Sequence, residues 1–382
     1  MNTKHNFVQL AEVQREQGTL YCAGLDIHPF GGWAESIRVY ESVIRTIRDK
    51  DYFQEAFRRY YLAIGALYPV DKAGTDLSTL LASIECYLVR VIDVLVTRAD
   101  IRVFKPQAAF YAQFGPLGWM LLSRVRQYLA SLEIRDKKRL IVILDCKVGD
   151  IDTTQAAYFS GLLGNLQSDW GIDYAPFNFD IINVTPWMGS DVLVLGTAEK
   201  PGIGLKLMQE GKGLIVVNKS SNPSGPEYQD LCTISWDYSS KIHMFNVKHL
   251  QAVSRDYGLE QDGLSSLGLV VGATRPCDGS IRTAFPSATM LVPGFGAQGG
   301  KFSLIMPELI SEGKWNGQGA IFSSSRGTMF PWLEKLGGSG DVGKLEEDLI
   351  KAVEQFRINE RLAYDEPEIK ERGIKYPFDR FA

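Results

Sequence analysis

No uninterrupted apolar run in the 382 residues approaches the roughly 18 needed to cross a membrane, so no membrane helix is expected. The opening stretch MNTKHNFVQLAEVQREQG lacks the apolar core of a secretory signal, and a cytoplasmic protein is expected. Neither sign of charge dominates: 41 Lys and Arg against 45 Asp and Glu leave a net charge of −4, which gives no support to a nucleic-acid-binding surface. Histidine is scarce. His5, His28, His243 and His249 form no ligand cluster, and neither HxxxH nor CxxC occurs, so a structural zinc site is not expected. The five cysteines, Cys22, Cys86, Cys146, Cys232 and Cys277, are an odd number at no metal-like spacing. They read as small thiols kept in a reducing compartment. Internal repeats and low-complexity tracts are also lacking.

What is present is organised around LIVILDCKVGDIDTT, Leu140 to Thr154. Leu140 to Leu144 are five apolar residues in a row, the pattern of a strand buried on both faces of a parallel sheet. Asp145, Lys147 and Asp150 follow at once. Asp145 and Lys147 are two apart, so on a strand they point into one shared space. Charges at the end of a buried strand are costly unless paired or used. On spacing alone, a structural ion pair and a working pair are equally good readings. A second strand-like run, IRVFKP, carries Lys105 near its end and favours the working pair.

Eight strand candidates recur along the chain: Leu20–Asp26, Ile101–Pro106, Leu140–Lys147, Asp180–Pro186, Gly213–Ser220, Leu267–Ala273, Thr289–Gly294 and Ala320–Ser325. Helices are expected between them over Gly115–Ser131, Thr154–Leu166, Val192–Glu210 and Lys241–Tyr257. Strands alternating with helices give a parallel sheet, and eight such units close into an α/β barrel. A barrel of this kind takes about 250 residues, so the chain carries extra material. Leu77, Leu80, Leu81, Ile84, Leu88, Val91, Ile92 and Leu95 form one helical stripe leading into the second strand, with Asp76 as the expected N-cap. Ser36–Tyr68 is an added helical excursion. Leu345–Tyr364 reads as a closing amphipathic helix. Asp365–Ala382, with Tyr376, Phe378 and Phe381, is either a surface strap or disordered. The expected division is a barrel over 1–335, with an insertion at about 30–75, and a C-terminal helix and tail over 336–382.

Asp145, Lys147, Asp150, Ile151 and Thr154 spell D-x-K-x-x-D-I-x-x-T, which resembles the signature of the orotidine 5′-phosphate decarboxylase family. The surrounding DCKVGDIDTTQAAY is similar to the subfamily pattern D-A-K-R-G-D-I-x-x-T-x-x-A-Y, with Val148 in place of the usual Arg. YCAGLDIHP, FKPQAAFYAQFGPLG, KSSNPSGPEYQDL, VPGFGAQGG and SSSRG match further family stretches in the right order. The resemblance covers roughly residues 18–28 and 101–330. It implies a TIM barrel that converts orotidine 5′-phosphate to UMP and CO2 in pyrimidine biosynthesis, with neither metal nor organic cofactor. It also implies a homodimer whose active sites are shared between subunits.

By the same resemblance Lys105, Asp145, Lys147 and Asp150 form an alternating charged set. Lys147 would stabilise and protonate the ring carbanion, and Asp145 would face the substrate carboxylate. Asp150 and Thr154 would reach into the neighbouring subunit's site. Asp26 would contact the ribose hydroxyls, although an Asp capping a strand–loop turn has the same appearance. Ser221 would read the base's amide edge, and it equally suits the start of the Asn222–Pro223 turn. Pro293 and Gly300 lie in the Gly-rich run PGFGAQGG, whose glycines allow close approach to a phosphate. Gln298 would bridge phosphate and pyrimidine. Arg326 and Gly327 close the eighth strand, where barrels commonly bind phosphate. Arg275 is a second phosphate candidate, ranked below Arg326.

Two other functions fit parts of this pattern. One is a magnesium-dependent sugar-phosphate enzyme on the same scaffold, such as a keto-gulonate-phosphate decarboxylase or hexulose-phosphate synthase. Those share D-x-K-x-x-D but carry an acidic residue where this chain has Lys105, and a cation there would repel the metal. The other is a non-catalytic nucleotide-binding scaffold, against which all four charged residues are present.

Overall fold

The computed structural model describes residues 4–28, 50–67, 71–164, 166–167, 173–197, 199–235, 238–274, 278–294, 302–309, 319–333, 337–371 and 375–378. Eight parallel strands close a barrel, each falling within the expected run or within one residue of it. They are β1 (Tyr21–Gly24), β2 (Val103–Lys105), β3 (Ile141–Val148), β4 (Ile181–Val184), β5 (Gly213–Lys219), β6 (Leu267–Val271), β7 (Thr289–Val292) and β8 (Ala320–Ser324). The chain divides into two compact units, one comprising Met1–Ala23, Ile141–Ser324 and Gln355–Ala382, the other Gly24–Leu140 and Ser325–Glu354.

In the first unit the parallel register runs from β3 to β8 and on to β1, with Ile143 opposite Ile181, Ile182 opposite Leu214 and Tyr21 opposite Phe322. Residues 141–144, 181–184 and 267–271 are buried throughout, as both-faces-covered strands require. Helix α1 (Asn6–Gln17) has no counterpart among the expected elements. It sits at the N-terminal ends of the strands, where Asn6 Nδ2 donates to Asp180 O (2.8 Å) and Gln14 Nε2 donates to Ala320 O (2.7 Å). Phe7 is fully buried and fills the space left by Gly213 and Gly268, where an added Cβ would come within 2.8 and 3.2 Å of its ring. A plug of this kind satisfies carbonyls that a barrel bottom would otherwise leave unpaired.

The expected helix over Val192–Glu210 is instead two pieces, a 3-10 turn (Pro186–Leu193) and a helix (Ile203–Gln209). Val194 and Gly196 both have positive φ, and Gly196 pairs with Pro201 in an isolated bridge, so the chain reverses where a continuous helix would have to run. The later residues of the closing helix (Leu345–Ala363) belong to this unit. Phe356 packs edge-on against Tyr21 at 4.7 Å, and Glu360, fully buried, accepts from Thr19 Oγ1 and from Leu20 N–H (3.0 Å). The described part of the tail is a strap. Tyr376 Oη donates to Gly18 O (3.2 Å), and Phe378 is buried against the Tyr376 ring.

In the second unit, α2 (Asp51–Leu67) is the described part of the added excursion; residues 36–49 and 68 of that stretch lie outside the described residues. It packs on α3 (Lys72–Thr97), which carries the expected apolar stripe. The cap of α3 is Asp71, whose carboxylate accepts from Gly74 N–H (2.9 Å), and Asp76 lies inside the helix one turn later. Buried Glu85 ties the insertion down. It accepts from Arg59 (3.1 Å), Tyr60 Oη (2.6 Å) and Arg124 Nε (3.4 Å). Two guanidiniums and a phenol satisfy a carboxylate that would be costly to bury alone.

Candidate active site

The end of β3 departs from the strand at the charged residues. Pairing with β4 runs through Leu144 opposite Ile182 and resumes only at Val148 opposite Val184, so the intervening residues form a bulge. Lys147 lies in this bulge with φ 47°, in the left-handed region. The Asp145 and Lys147 side chains do meet, but through this turn rather than through the strand's two-residue pleat. The Lys147 ammonium donates to Asp145 Oδ1. Asp145 is buried, whereas the Lys147 side chain is 46% exposed and so remains available to a bound molecule.

Asn183 of β4 was not among the expected site residues. It is buried, and its Nδ2 donates to Asp145 Oδ1 (2.6 Å) while its Oδ1 accepts from the N–H groups of Cys146 (2.8 Å) and Lys147 (2.7 Å). Cys146 contacts the Asn183 carbonyl through Sγ (3.4 Å), and burial pushes its thiol up to about 11, so it is not an activated nucleophile. Gly149 lets the chain pass β4, since a Cβ there would lie 2.0 Å from Thr185 Oγ1.

Asp150 sits beyond the bulge, its carboxylate accepting from Ile151 N–H (2.8 Å). Its own N–H donates to Oε1 of buried Gln155 (3.1 Å), which in turn donates to Val192 O (3.1 Å). Gln155, another residue not anticipated, thereby pins the loop. Thr154 is exposed in the first turn of the helix Asp152–Leu162, which starts two residues before the expected Thr154. Ser221 follows β5, with its carbonyl accepting from Thr274 Oγ1 (2.8 Å) and its backbone lying 2.7 Å from where a Gly272 Cβ would be. Pro293 follows β7 and accepts from Ala273 N–H (3.1 Å). Gln298, Gly300 and Arg275 lie outside the described residues.

The second unit holds the remaining expected residues. Asp26, just past β1, is buried, and its Oδ1 has no hydrogen-bond partner. Lys105 ends β2 and is buried, its carbonyl accepting from Leu25 N–H (3.1 Å). Arg326 and Gly327 open the short helix Arg326–Met329 after β8, and burial lowers the Arg326 guanidinium from its ordinary value. Gly24 faces Ser325 so closely that an added Cβ would lie 2.2 Å from the Ser325 Oγ. The His28 ring packs against Phe110 at a tilt of 60° (4.1 Å between ring centroids). Its value is lowered chiefly by burial, with Asp26 opposing and Arg326 adding to that shift. An unmet carboxylate oxygen suits a hydroxyl donor, and a guanidinium suits a phosphate.

Among the described residues, no helix is long and apolar enough to cross a membrane, and no group of three or more His, Cys, Asp or Glu is placed to hold a metal ion.

The sequence model of the orotidine 5′-phosphate decarboxylase / HUMPS family matches residues 85–327. A protein of Rhodopirellula baltica named orotidine 5′-phosphate decarboxylase is 34% identical over 260 residues, covering 68% of this chain and 77% of that protein. One of the same name from Caldicellulosiruptor bescii is 30% identical over 295 residues, covering 74% and 81%. Among solved structures, the orotidine 5′-monophosphate decarboxylase of Plasmodium berghei superposes with a TM-score of 0.62 at 17% identity, over 96% of this chain and all (100%) of that one. The OMP decarboxylase of Leishmania donovani gives 0.54 at 21% identity, over 92% and 98%. At such identities the structures speak for the fold, while the extent of the sequence matches settles the family: the chain belongs to the orotidine 5′-phosphate decarboxylase / HUMPS family.

Proposed function

We propose that the protein is an orotidine 5′-phosphate decarboxylase, forming UMP and CO2, with its catalytic barrel in residues 1–335 and a C-terminal helix and tail in 336–382. The observation that carries this reading is the Lys147–Asp145 pair on the bulge ending β3, with the ammonium at the exposed end. Breaking the bond from the ring to the carboxylate leaves an electron pair on the ring carbon as CO2 departs. A preorganised ammonium stabilises that pair and then donates a proton to it, becoming a neutral amine that solvent reprotonates. Asp145 faces the substrate carboxylate, and Lys105 and Asp150 complete the charged set. Asp26 takes the ribose hydroxyls, consistent with its unpaired Oδ1. Arg326, Gly327, Pro293, Gln298 and Gly300 hold the phosphate end, while Ser221 and Thr154 contact the remainder of the nucleotide.

We assign the working form as a cytoplasmic homodimer in which Asp150 and Thr154 serve the partner's site. Ile151, Tyr158, Trp187 and Met188, between 44% and 75% exposed after β3 and β4, supply the apolar surface that such a contact needs. Among the described residues, Cys86, Cys146 and Cys232 are free thiols, which suits a reducing compartment.

The test is the ultraviolet absorbance change when orotidine 5′-phosphate is added with EDTA present. Conversion that EDTA leaves unaffected supports the reading. No conversion, or conversion only with added magnesium, overturns it, the latter in favour of the sugar-phosphate branch of the scaffold.

A further inference from the structure

Asn183 is a single amide surrounded by aliphatic positions. Ile181, Ile182 and Val184, its neighbours on β4, are fully buried and apolar, as a covered parallel strand requires. Asn183 is itself only 1% exposed, so its polar side chain is costly there unless every bond it makes is well used. All three of its bonds go to the segment Asp145–Lys147. The oxygen accepts from two consecutive N–H groups, and the nitrogen donates to Asp145 Oδ1, the same oxygen that takes the Lys147 ammonium.

These bonds have a mechanical consequence. Consecutive N–H groups of a regular strand point to opposite neighbours, but in the bulge those of Cys146 and Lys147 both turn to the Asn183 side-chain oxygen, which accepts from each. One of those donors is the N–H of Lys147, whose φ of 47° is unfavourable for a side-chain-bearing residue and persists only where its surroundings hold it. From this geometry we infer that Asn183 is a positioning residue for the decarboxylation. It clamps the turn that delivers the Lys147 ammonium and fixes the orientation of Asp145. It acts through these two residues, and the inference rests on the roles proposed for them above.

The experiment compares kcat, KM and pH profiles of Asn183→Leu and Asn183→Asp with the unaltered enzyme, with Lys147→Ala run alongside. In Asn183→Leu, losing hydrogen bonds to charged and strained groups lowers kcat by about 10- to 100-fold. KM changes much less, because phosphate and ribose are held elsewhere. Asn183→Asp keeps the shape and the acceptor for both N–H groups but sets a second carboxylate against Asp145. The charged residues bonded to position 183 are Asp145 and, through its backbone, Lys147. Two carboxylates at that distance share one proton. The protonated form mimics the amide, so kcat is highest at low pH and falls as that proton is lost, a limb the unaltered enzyme lacks.

Unchanged kcat in a folded Asn183→Leu, or an Asn183→Asp profile that superimposes on that of the unaltered enzyme, overturns the inference. Should Asn183→Leu fail to fold, the Asn183→Asp profile decides alone. If Lys147→Ala retains full turnover, the reading of the site falls and takes Asn183 with it. If Lys147→Ala is inactive while both Asn183 variants behave normally, only the role of Asn183 is lost.

Discussion

Lys147 and Asp145 form their ion pair across the bulge of β3, with Lys147 at φ 47° and Asp145 still in the buried run. The pair is therefore not a by-product of strand geometry; a regular strand would have kept Lys147 in the ladder. Lys147→Ala is expected to fold and to lose turnover by on the order of 10³-fold or more. Asp145 keeps its bond to Asn183 in that variant, so the melting temperature should hold. A large drop in melting temperature with normal turnover would mark the pair as structural.

The same dihedral makes a stability prediction that is independent of activity. In a strand interior, glycine is less stable than alanine. At φ 47° the order reverses, since only glycine adopts that region without a Cβ penalty. Lys147→Gly should therefore unfold at a higher temperature than Lys147→Ala. The opposite order would show that the turn relaxes once the lysine is gone.

Arg326→Ala is expected to weaken capture of the phosphorylated substrate, raising KM. If phosphate binding is used to complete the site, kcat falls as well. Added phosphite should not rescue this variant, because phosphite binding itself needs Arg326. Unchanged affinity for the nucleotide in equilibrium titration would move the phosphate site elsewhere, with Arg275 the next candidate.

Much of the architecture was legible because strands buried on both faces announce themselves as short apolar runs. All eight barrel strands lie where those runs are, and Lys105, Asp145 and Lys147 stand out as charges at or near their ends. Asn183 and Gln155 were not legible. Their partners are set by strand register and by a loop's path, and an amide within IINV or a glutamine within TTQAA carries no local mark of either. Helix α1 escaped for a related reason: it buries Asn6, Gln14 and Gln17 as well as Phe7, Val8 and Leu10, so its sequence lacks a clean apolar stripe. The interval Val192–Glu210 has room for one continuous helix, but Gly196 and Pro201 reverse the chain within it.

Glu360 gives a pH test of the C-terminal closure. Burial raises its carboxyl from the ordinary 4.5 to about 7, with the bonds from Thr19 and Leu20 opposing the shift. A carboxyl raised in the folded state holds its proton more tightly when folded. Its contribution to stability is therefore full at low pH and declines as pH rises from about 4.5 to about 7. Glu360→Gln removes that titration. The urea midpoint of the unaltered protein should fall between pH 5 and pH 8 relative to that of Glu360→Gln. Parallel midpoints across that range would mean Glu360 is not held protonated.

The shared-site proposal can be tested by mixing two inactive proteins. If Asp150 serves the partner subunit, each site combines Lys147 from one chain with Asp150 from the other. Lys147→Ala and Asp150→Ala homodimers should both be nearly inactive. In a mixed dimer, one site collects both substitutions, while the other takes Lys147 from the Asp150 variant and Asp150 from the Lys147 variant and is intact. Activity should then reappear at up to half the unaltered value per mixed dimer, a proportion that follows from one intact site in two. Within its own chain the Asp150 carboxylate accepts from Ile151 N–H (2.8 Å) on the exposed loop after β3, which is compatible with a role across the interface. Differently tagged chains establish that subunits have exchanged. With exchange demonstrated and no activity recovered, Asp150 would serve its own chain's site, and the charged set would be complete within one subunit.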